Sequence, residues 1–233
     1  MQAAVILMSR AATSDQTKTR LESHLKKDEC TELHQAVLKD LNFKLLNLKK
    51  NYSKIDLYLS FNPGESELLF SEIVDAQFTR ISQQGKNLGE KVFNALNDAY
   101  QLSNLPVIIM GSNIPLLDIN IFTEALAGLK ERDLVIGPAA DGGCYLIGMK
   151  EPKKFIYDFK NWENSDILCR TIKEASKEKL KVHFLPEMSD IATFKELLQL
   201  RSKLKKIKLK NREMNVDYPE NTSVVIEKIF AYK

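Results

Sequence analysis

The sequence predicts a mostly parallel α/β sheet with helices on both of its faces. Short continuous apolar runs such as residues 3–8 and 106–110 are typical of strands that are buried on both sides. The longer segments between these runs carry apolar residues at helical spacing. Strands that alternate with helices favour a parallel sheet. The chain has 233 residues, 44% of them hydrophobic, which suits one large α/β domain or two small ones.

Seven short segments predict strands because they are rich in apolar, mostly branched side chains and are bounded by turn residues. They comprise residues 3–8, 55–61, 78–82, 106–110, 134–136, 145–149 and 182–185. The run 106–110 is the most hydrophobic of these segments, whereas 78–82 is the weakest candidate. Turn residues at Asn62-Pro63-Gly64 end the second strand, and Asp141-Gly142-Gly143 separates the fifth from the sixth.

Six segments between or after the strands predict helices from their apolar spacing. Five comprise residues 20–50, 65–76, 118–129, 166–177 and 193–212, and the other follows residues 84–89 and carries Val92, Phe93, Leu96 and Ala99 on one stripe. Asp118 is placed to cap the fourth helix. The sixth helix carries seven basic residues between Arg201 and Arg212, which we interpret as a solvated face, with a nucleic-acid or membrane-surface patch as the alternative. We expect residues 214–233 to form a tail packed on a domain of residues 1–213.

Composition excludes several classes of protein. Lys and Arg number 34 against 31 Asp and Glu, so the net charge is only +3 and favours no specific nucleic-acid partner. Disordered and collagen-like chains are excluded. The initial apolar run of six residues is too short for a signal-peptide core or a membrane span, and the three cysteines are scattered as reduced thiols would be. We therefore expect a soluble cytoplasmic protein.

A polar loop after the first strand is the first candidate binding segment, because ligands of such sheets bind outside the carboxyl ends of the strands. It contains Ser9, Arg10, Lys18 and Arg20. Three cations on one loop suit a polyanion such as a diphosphate, since arginine makes bidentate contacts to phosphate oxygens. The alternative is a basic loop that serves only solubility.

A tight turn after the fourth strand is the second candidate, and it contains Gly111, Ser112 and Asn113. Glycine permits a close approach of the backbone to a ligand. A short oxygen-bearing side chain at this place can reach a bound metal or a ribose. The alternative is an ordinary strand-to-helix turn in which Ser or Asn forms a local cap.

Two acidic residues complete the candidates. Asp141 stands beside Gly142 and Gly143, in a turn that either brings a ligand to the backbone or is a plain hairpin. Asp190 follows the last predicted strand and can point into the same crevice. The alternative for this segment is a helix cap, because Thr193 and Glu196 have the spacing of a capping box.

Six segments in this order resemble the small GT-A-like glycosyltransferases of arsenosugar biosynthesis, formerly a domain of unknown function. They are residues 4–10, 18–21, 84–91, 111–117, 136–148 and 185–191. The resemblance covers about residues 3–200, and its most specific part is the Gly-Pro-x-x-Asp-Gly-Gly sequence that begins at Gly137. It implies a single-domain nucleotide-diphospho-sugar transferase fold, a three-layer α/β sandwich. Guanylyltransferases of molybdenum-cofactor and deazaflavin-cofactor assembly are related to it.

The resemblance also implies roles for residues at matched positions. Residues that would bind the nucleotide and its phosphates are Ser9, Arg10, Lys18, Arg20, Gly85, Gly111, Ser112, Gly142 and Gly143. The acidic metal position of the family falls on Asn113, and we expect Asp141 to be a second ligand of Mg²⁺ or Mn²⁺. Asp190 and Asp141 are the catalytic candidates.

The sequence departs from the family pattern at five positions. Asn87, Asn113 and Ala192 stand where the family usually has Asp, Lys91 replaces an Arg, and Cys144 replaces a Tyr. Mg²⁺ prefers anionic oxygen ligands, so the neutral amide of Asn113 is expected to weaken metal binding. Asp141 and Asp190 remain the acidic candidates at matched positions.

The resemblance implies a transferase that binds a nucleotide-diphospho-sugar and passes the sugar to a small acceptor, with a weakened metal site. Two alternatives stay open. One is a catalytically impaired nucleotide-binding or regulatory protein of the same fold, which the missing carboxylates favour. The other is a nucleotidyltransferase, in which a phosphate-bearing acceptor attacks the α-phosphate and pyrophosphate is released.

Overall fold

The computed structural model describes residues 2–12, 18–62, 68–157, 166–210 and 218–231. Within these residues one seven-stranded sheet forms, in the order β3-β2-β1-β4-β6-β5-β7. Its strands are β1 (Gln2–Met8), β2 (Lys54–Phe61), β3 (Phe78–Ser82), β4 (Val107–Gly111), β5 (Leu134–Pro138), β6 (Cys144–Met149) and β7 (Val182–Phe184). Only β6 runs antiparallel to its neighbours, between β4 and β5. The mostly parallel α/β sheet is therefore as predicted.

Along the described chain most helices lie between strands, and the last two follow the final strand. They are α1 (Lys27–Asn51), α2 (Leu68–Ser71), α3 (Leu88–Ser103), α4 (Ile119–Glu131), α5 (Ile167–Lys177), α6 (Phe194–Lys210) and α7 (Glu220–Ala231). The Asp118 side chain caps α4 as predicted, because it accepts a hydrogen bond of 2.7 Å from the backbone N–H of Asn120. No helix in these described segments is both long and apolar enough to span a membrane.

Two predicted helices have different bounds. The helix predicted from residue 20 begins at Lys27, because the Glu29 carboxylate accepts the backbone N–H of Lys26 at 2.7 Å and caps the helix at that point. The helix predicted over 65–76 is helical over only four of its described residues. It ends at Ser71, and Asp75 then accepts the backbone N–H of Gln77 in a turn before β3. Residues 65–67 of that prediction lie outside the described residues.

The two faces of the sheet are covered by two separate apolar cores. Along β1, Ala3, Val5 and Leu7 face the core that contains α1, α4, α6 and α7, whereas Ala4 and Ile6 face the core of α3 and α5. All five side chains are fully buried. Burial on both sides explains why this strand is a continuous apolar run, and it gives the three-layer arrangement.

The basic run on α6 lies partly against α7. Arg201 makes two hydrogen bonds to the Glu227 carboxylate, at 3.0 and 3.1 Å, and its guanidinium lies 4.3 Å from the centre of the Phe230 ring. Lysines 203, 205, 206 and 208 are exposed, which agrees with the interpretation of this run as a solvated face.

Helix α7 is anchored to α1 by one buried carboxylate. Asp40 accepts four hydrogen bonds of 2.6–3.0 Å from the backbone N–H groups and side chains of Asn221 and Thr222. A carboxylate at the first turn of a helix compensates both the unpaired N–H groups and the positive end of the helix dipole. The boundary predicted at residues 213/214 lies outside the described residues.

Replacing Asp40 with alanine is expected to lower the free energy of unfolding by about 3 kcal/mol, because buried donors at the start of α7 lose their acceptor. Urea unfolding followed by circular dichroism measures this change. The matched control is Lys39→Ala, an exposed neighbour on the same helix. Equal urea midpoints for the two variants would show that α7 does not depend on Asp40.

Candidate functional site

A cleft of about 890 Å³ opens at the carboxyl ends of β1 and β4. Ten of the twelve predicted site residues line it: Ser9, Arg10, Lys18, Arg20, Gly111, Ser112, Asn113, Asp141, Gly143 and Asp190. Four segments that are distant along the chain therefore meet at one place. The chemical roles assigned to these residues stay predictions.

Gly85 and Gly142, the other two predicted residues, do not line the cleft. Both have a positive φ, +133° and +89°, which glycine adopts without strain. A Cβ atom on Gly85 would lie 2.6 Å from the Cβ of Glu90. These two glycines therefore shape the backbone beside the cleft, at the start of α3 and in the turn between β5 and β6.

The register of β1 with β4 brings their two loops together. Met8 pairs with Gly111 in the parallel ladder, so the next residues of both strands leave the sheet side by side. The buried Ser9 Oγ lies 3.0 Å from Ser112 Oγ and 2.9 Å from the Arg10 carbonyl oxygen. These side chains join the two loops, and Ser112 does not act as the local helix cap that was the alternative.

His34 on α1 also lines the cleft, although no motif in the sequence pointed to it. Its Nε2 lies 3.1 Å from the Arg10 carbonyl oxygen, which can only accept, so this nitrogen carries the proton. Burial, assisted by the nearby Lys18 charge, lowers the pKa of His34 to about 4. A neutral His34 thus holds the loop after β1 in place.

Lys18, in the loop after β1, contacts both the loop after β4 and the segment before α6. Its ammonium donates to Asn113 Oδ1 at 3.3 Å and to the Ile191 carbonyl oxygen at 3.2 Å. Its backbone is left-handed, with φ 53°, a conformation that non-glycine residues adopt mainly where the surroundings require it. Burial lowers the pKa of Lys18 to about 8, although the Asp190 charge acts in the opposite direction.

The two acidic candidates differ in their surroundings. Asp141 Oδ1 accepts the Gly143 backbone N–H at 2.9 Å, which stabilises the turn. Burial raises the pKa of Asp190, and the neighbouring Asp141 and Glu196 charges raise it further, against the opposing charge of Lys18. Asp190 is therefore the carboxylate that binds a proton more readily than an ordinary aspartate does.

The capping box predicted after Asp190 is present, but Asp190 does not belong to it. Glu196 accepts the backbone N–H groups of Ala192 and Thr193, at 2.8 and 2.7 Å. The Thr193 hydroxyl in turn accepts the Glu196 N–H at 3.4 Å. Thr193 and Glu196 thus cap α6, while Asp190 lines the cleft.

Lys86 and Lys91 line the cleft as well, and no site role was predicted for them. Lys91 donates to the Asn62 side chain at 3.3 Å. Asn87, between them, caps α3 by accepting the Glu90 N–H at 2.9 Å. Their position in the motif 84–91 was the signal that could have identified these two lysines.

The oxygen atoms expected to bind a divalent cation in the cleft are poorly suited to do so. The Asn113 amide oxygen already accepts from an ammonium group, and Asp141 uses one carboxylate oxygen for the Gly143 N–H. In the described part of the chain no three His, Cys, Asp or Glu side chains are grouped as metal ligands. The Mg²⁺ or Mn²⁺ site expected at Asn113 and Asp141 stays a prediction.

Comparison with solved structures defines the fold class. A proposed nucleotide-diphospho-sugar transferase from Desulfovibrio desulfuricans G20 aligns with a TM-score of 0.81 and 25% identity, over 98% of this chain and 99% of that chain. A 4-diphosphocytidyl-2C-methyl-D-erythritol synthase from Anaerococcus prevotii DSM 20548 aligns with a TM-score of 0.55 and 13% identity, over 88% and 98%. A cytidylyltransferase from Leptospira borgpetersenii gives a TM-score of 0.54 and 15% identity, over 99% and 96%. The nucleotide-diphospho-sugar transferase-like fold is confirmed.

The family is identified by sequence. Residues 45–164, slightly more than half of the chain, match the family described as an uncharacterized protein conserved in bacteria (DUF2064). The chain belongs to this family. A search of the curated proteins finds no match.

Two glycine variants test whether Gly85 is required for stability and Gly111 is not. Gly85→Ala is expected to lower the free energy of unfolding by about 1–3 kcal/mol, because its φ is positive and its Cβ would collide with Glu90. Gly111→Ala should keep wild-type stability, since a Cβ there meets no atom within 4 Å. Thermal unfolding measures both, and a Gly111→Ala variant less stable than Gly85→Ala would contradict this assignment.

Proposed function

We propose that this protein binds a nucleotide-diphospho-sugar in the cleft and transfers the sugar to a small acceptor, with a metal site weakened at Asn113. The observation that carries the proposal is the meeting of the loops after β1 and β4. There, the contacts of Ser9 with Ser112 and of Lys18 with Asn113 join segments that the sequence separates by about a hundred residues. Such a rim of a parallel sheet is where these folds bind ligands.

The charges lining the cleft suit a diphosphate. Five basic side chains, Arg10, Lys18, Arg20, Lys86 and Lys91, line it together with two acidic ones, Asp141 and Asp190. In the proposed reaction the bond between the anomeric carbon and the diphosphate oxygen breaks, and negative charge develops on the departing diphosphate. Fixed cations stabilise that charge without having to reorganise. Arginine adds directed bidentate contacts to phosphate oxygens.

Asp190 is the better candidate for the general base. An acceptor hydroxyl must lose its proton while its oxygen forms the new bond to the anomeric carbon. A carboxylate with a raised pKa accepts that proton more readily, and the pKa of Asp190 is raised by burial and by neighbouring acids. Asp141 is bound to the Gly143 N–H, so we assign it a supporting electrostatic role.

The finer assignment concerns the acceptor. The six motifs resemble transferases of arsenosugar biosynthesis, and we therefore include an arsenosugar precursor among the acceptors to be tested. We further propose that the protein acts in the cytoplasm. The support for this acceptor class and for the cytoplasmic location comes from the sequence.

Nucleotidyl transfer is the second candidate. It is favoured by the fold shared with a cytidylyltransferase and a 4-diphosphocytidyl-2C-methyl-D-erythritol synthase. The two reactions use the same cleft but break different bonds. Sugar transfer releases a nucleoside diphosphate, whereas attack of an acceptor phosphate on the α-phosphate of a nucleoside triphosphate releases pyrophosphate.

Product analysis tests the proposal. The full chain is incubated with panels of nucleotide-sugars, nucleoside triphosphates and acceptors, with and without Mg²⁺ or Mn²⁺, and nucleoside diphosphate and pyrophosphate are quantified. We expect nucleoside diphosphate release. Pyrophosphate release would favour the second candidate, and nucleotide binding without any product would favour a binding or regulatory protein.

Asp190→Asn is expected to lower kcat by about a hundredfold or more, because the amide cannot accept the acceptor's proton. The matched control is Glu131→Gln, which removes an exposed carboxylate at the end of α4, away from the cleft. Steady-state kinetics on the two variants measures the difference. An unchanged kcat for Asp190→Asn would remove Asp190 from the reaction.

A further inference from the structure

The ammonium of Lys18 is held in place by acceptors from two loops. Asn113 Oδ1 belongs to the loop after β4, and the Ile191 carbonyl oxygen belongs to the segment before α6. An ammonium has three donor hydrogens. Among the described residues these two oxygens are the acceptors of the ammonium, so one donor hydrogen remains for a ligand in the cleft.

Asn113 is suited to hold a cationic side chain for an anionic ligand. An amide oxygen accepts from the ammonium but carries no charge. Aspartate at the same position would form an ion pair with Lys18 and cancel its charge. With asparagine no further negative charge is added to that of Asp190, which already acts on Lys18, so positive charge remains in the cleft for a ligand.

We propose that Lys18, positioned by Asn113 and the Ile191 carbonyl, supplies the positive charge that the family resemblance assigns to a divalent cation, so that the diphosphate binds without a metal. This inference rests on the proposed function, because it concerns the same ligand in the same cleft. Lys18 contacts the Asn113 oxygen, which is the atom that the family pattern would give to the metal. Arg10, Arg20, Lys86 and Lys91 add charge around it.

Calorimetric titration of the full-length wild-type chain tests the inference. The probes are inorganic pyrophosphate, UDP and GDP, each titrated once with EDTA and once with Mg²⁺. We expect dissociation constants that agree within about threefold between the two conditions, because the cation required is part of the protein. Binding that occurs only with Mg²⁺ would overturn the inference and leave the proposed function intact. Absence of binding under both conditions would contradict the proposed function, and the inference with it.

Variants test the role of Lys18 itself. In EDTA, Lys18→Met is expected to weaken pyrophosphate binding about tenfold or more, since a methionine of similar length has no charge. The control Lys130→Met removes an exposed lysine on α4 and should bind as the wild type does. Circular dichroism verifies that each variant is folded. If Lys18→Met folds and binds pyrophosphate with wild-type affinity, Lys18 does not supply the charge; if it does not fold, the wild-type titrations still decide.

A double variant tests whether the ammonium occupies the place of a metal. In Lys18→Ala/Asn113→Asp the ammonium is removed and an anionic oxygen is introduced, which suits Mg²⁺. Pyrophosphate binding should be weak in EDTA and recover with Mg²⁺. Asn113→Asp alone should show little recovery, because the new carboxylate pairs with Lys18. A double variant with no response to Mg²⁺ would contradict the placement of the ammonium in the metal position.

Discussion

The parallel pairing of β1 with β4 positions the two loops whose contacts join the distant segments of the cleft. Both strands are buried on both faces, so a shift of one residue would move apolar side chains from one core to the other. The register that pairs Met8 with Gly111 is therefore strongly determined. Because of this register the loops after β1 and β4 leave the sheet side by side. Ser9 and Ser112, the first residues after the paired Met8 and Gly111, are therefore in contact. The hydrophobic cores thus determine where polar groups meet.

Buried polar side chains then hold those loops. Lys44, which is fully buried on α1, donates to the carbonyl oxygens of Pro115 and Leu117 at 2.8 Å each and supports the loop after β4. Gln83 donates to the carbonyl oxygens of Ser9 and Ser60, at 3.4 and 3.2 Å, and supports the loop after β1. Because these groups are buried, releasing the loops would leave polar atoms without partners. The loops that line the cleft are therefore held by the protein itself, which is the condition under which fixed charges stabilise an anion without reorganising.

The strands could be predicted because continuous apolar runs report burial directly, and the polar loops could be predicted because they follow those runs. Other features depend on contacts that a sequence does not display. Lys44 and His34 lie on a helix where lysine and histidine are ordinarily solvated, and each is buried only because a distant loop supplies carbonyl acceptors. The start of α1 was missed because lysine at the position before a helix carries no capping signal, and Glu29 provides the cap instead. Gly85 was assigned to the site from its position in a motif of the family resemblance, and only the structure shows that its positive φ serves the backbone turn before α3.

Two of the departures from the family pattern replace an expected aspartate with asparagine, and their physical consequences differ. Asn87 caps α3, and asparagine performs this function as well as aspartate does, so the helix is unaffected by the loss of charge. Asn113 accepts from the Lys18 ammonium, and here the lost charge alters the site, because a neutral acceptor adds no second negative charge to that of Asp190 near the lysine. The loss of these two carboxylates therefore does not by itself indicate a lost activity. One is replaced by an equivalent structural group, and the other makes the cleft more positive where a diphosphate would bind.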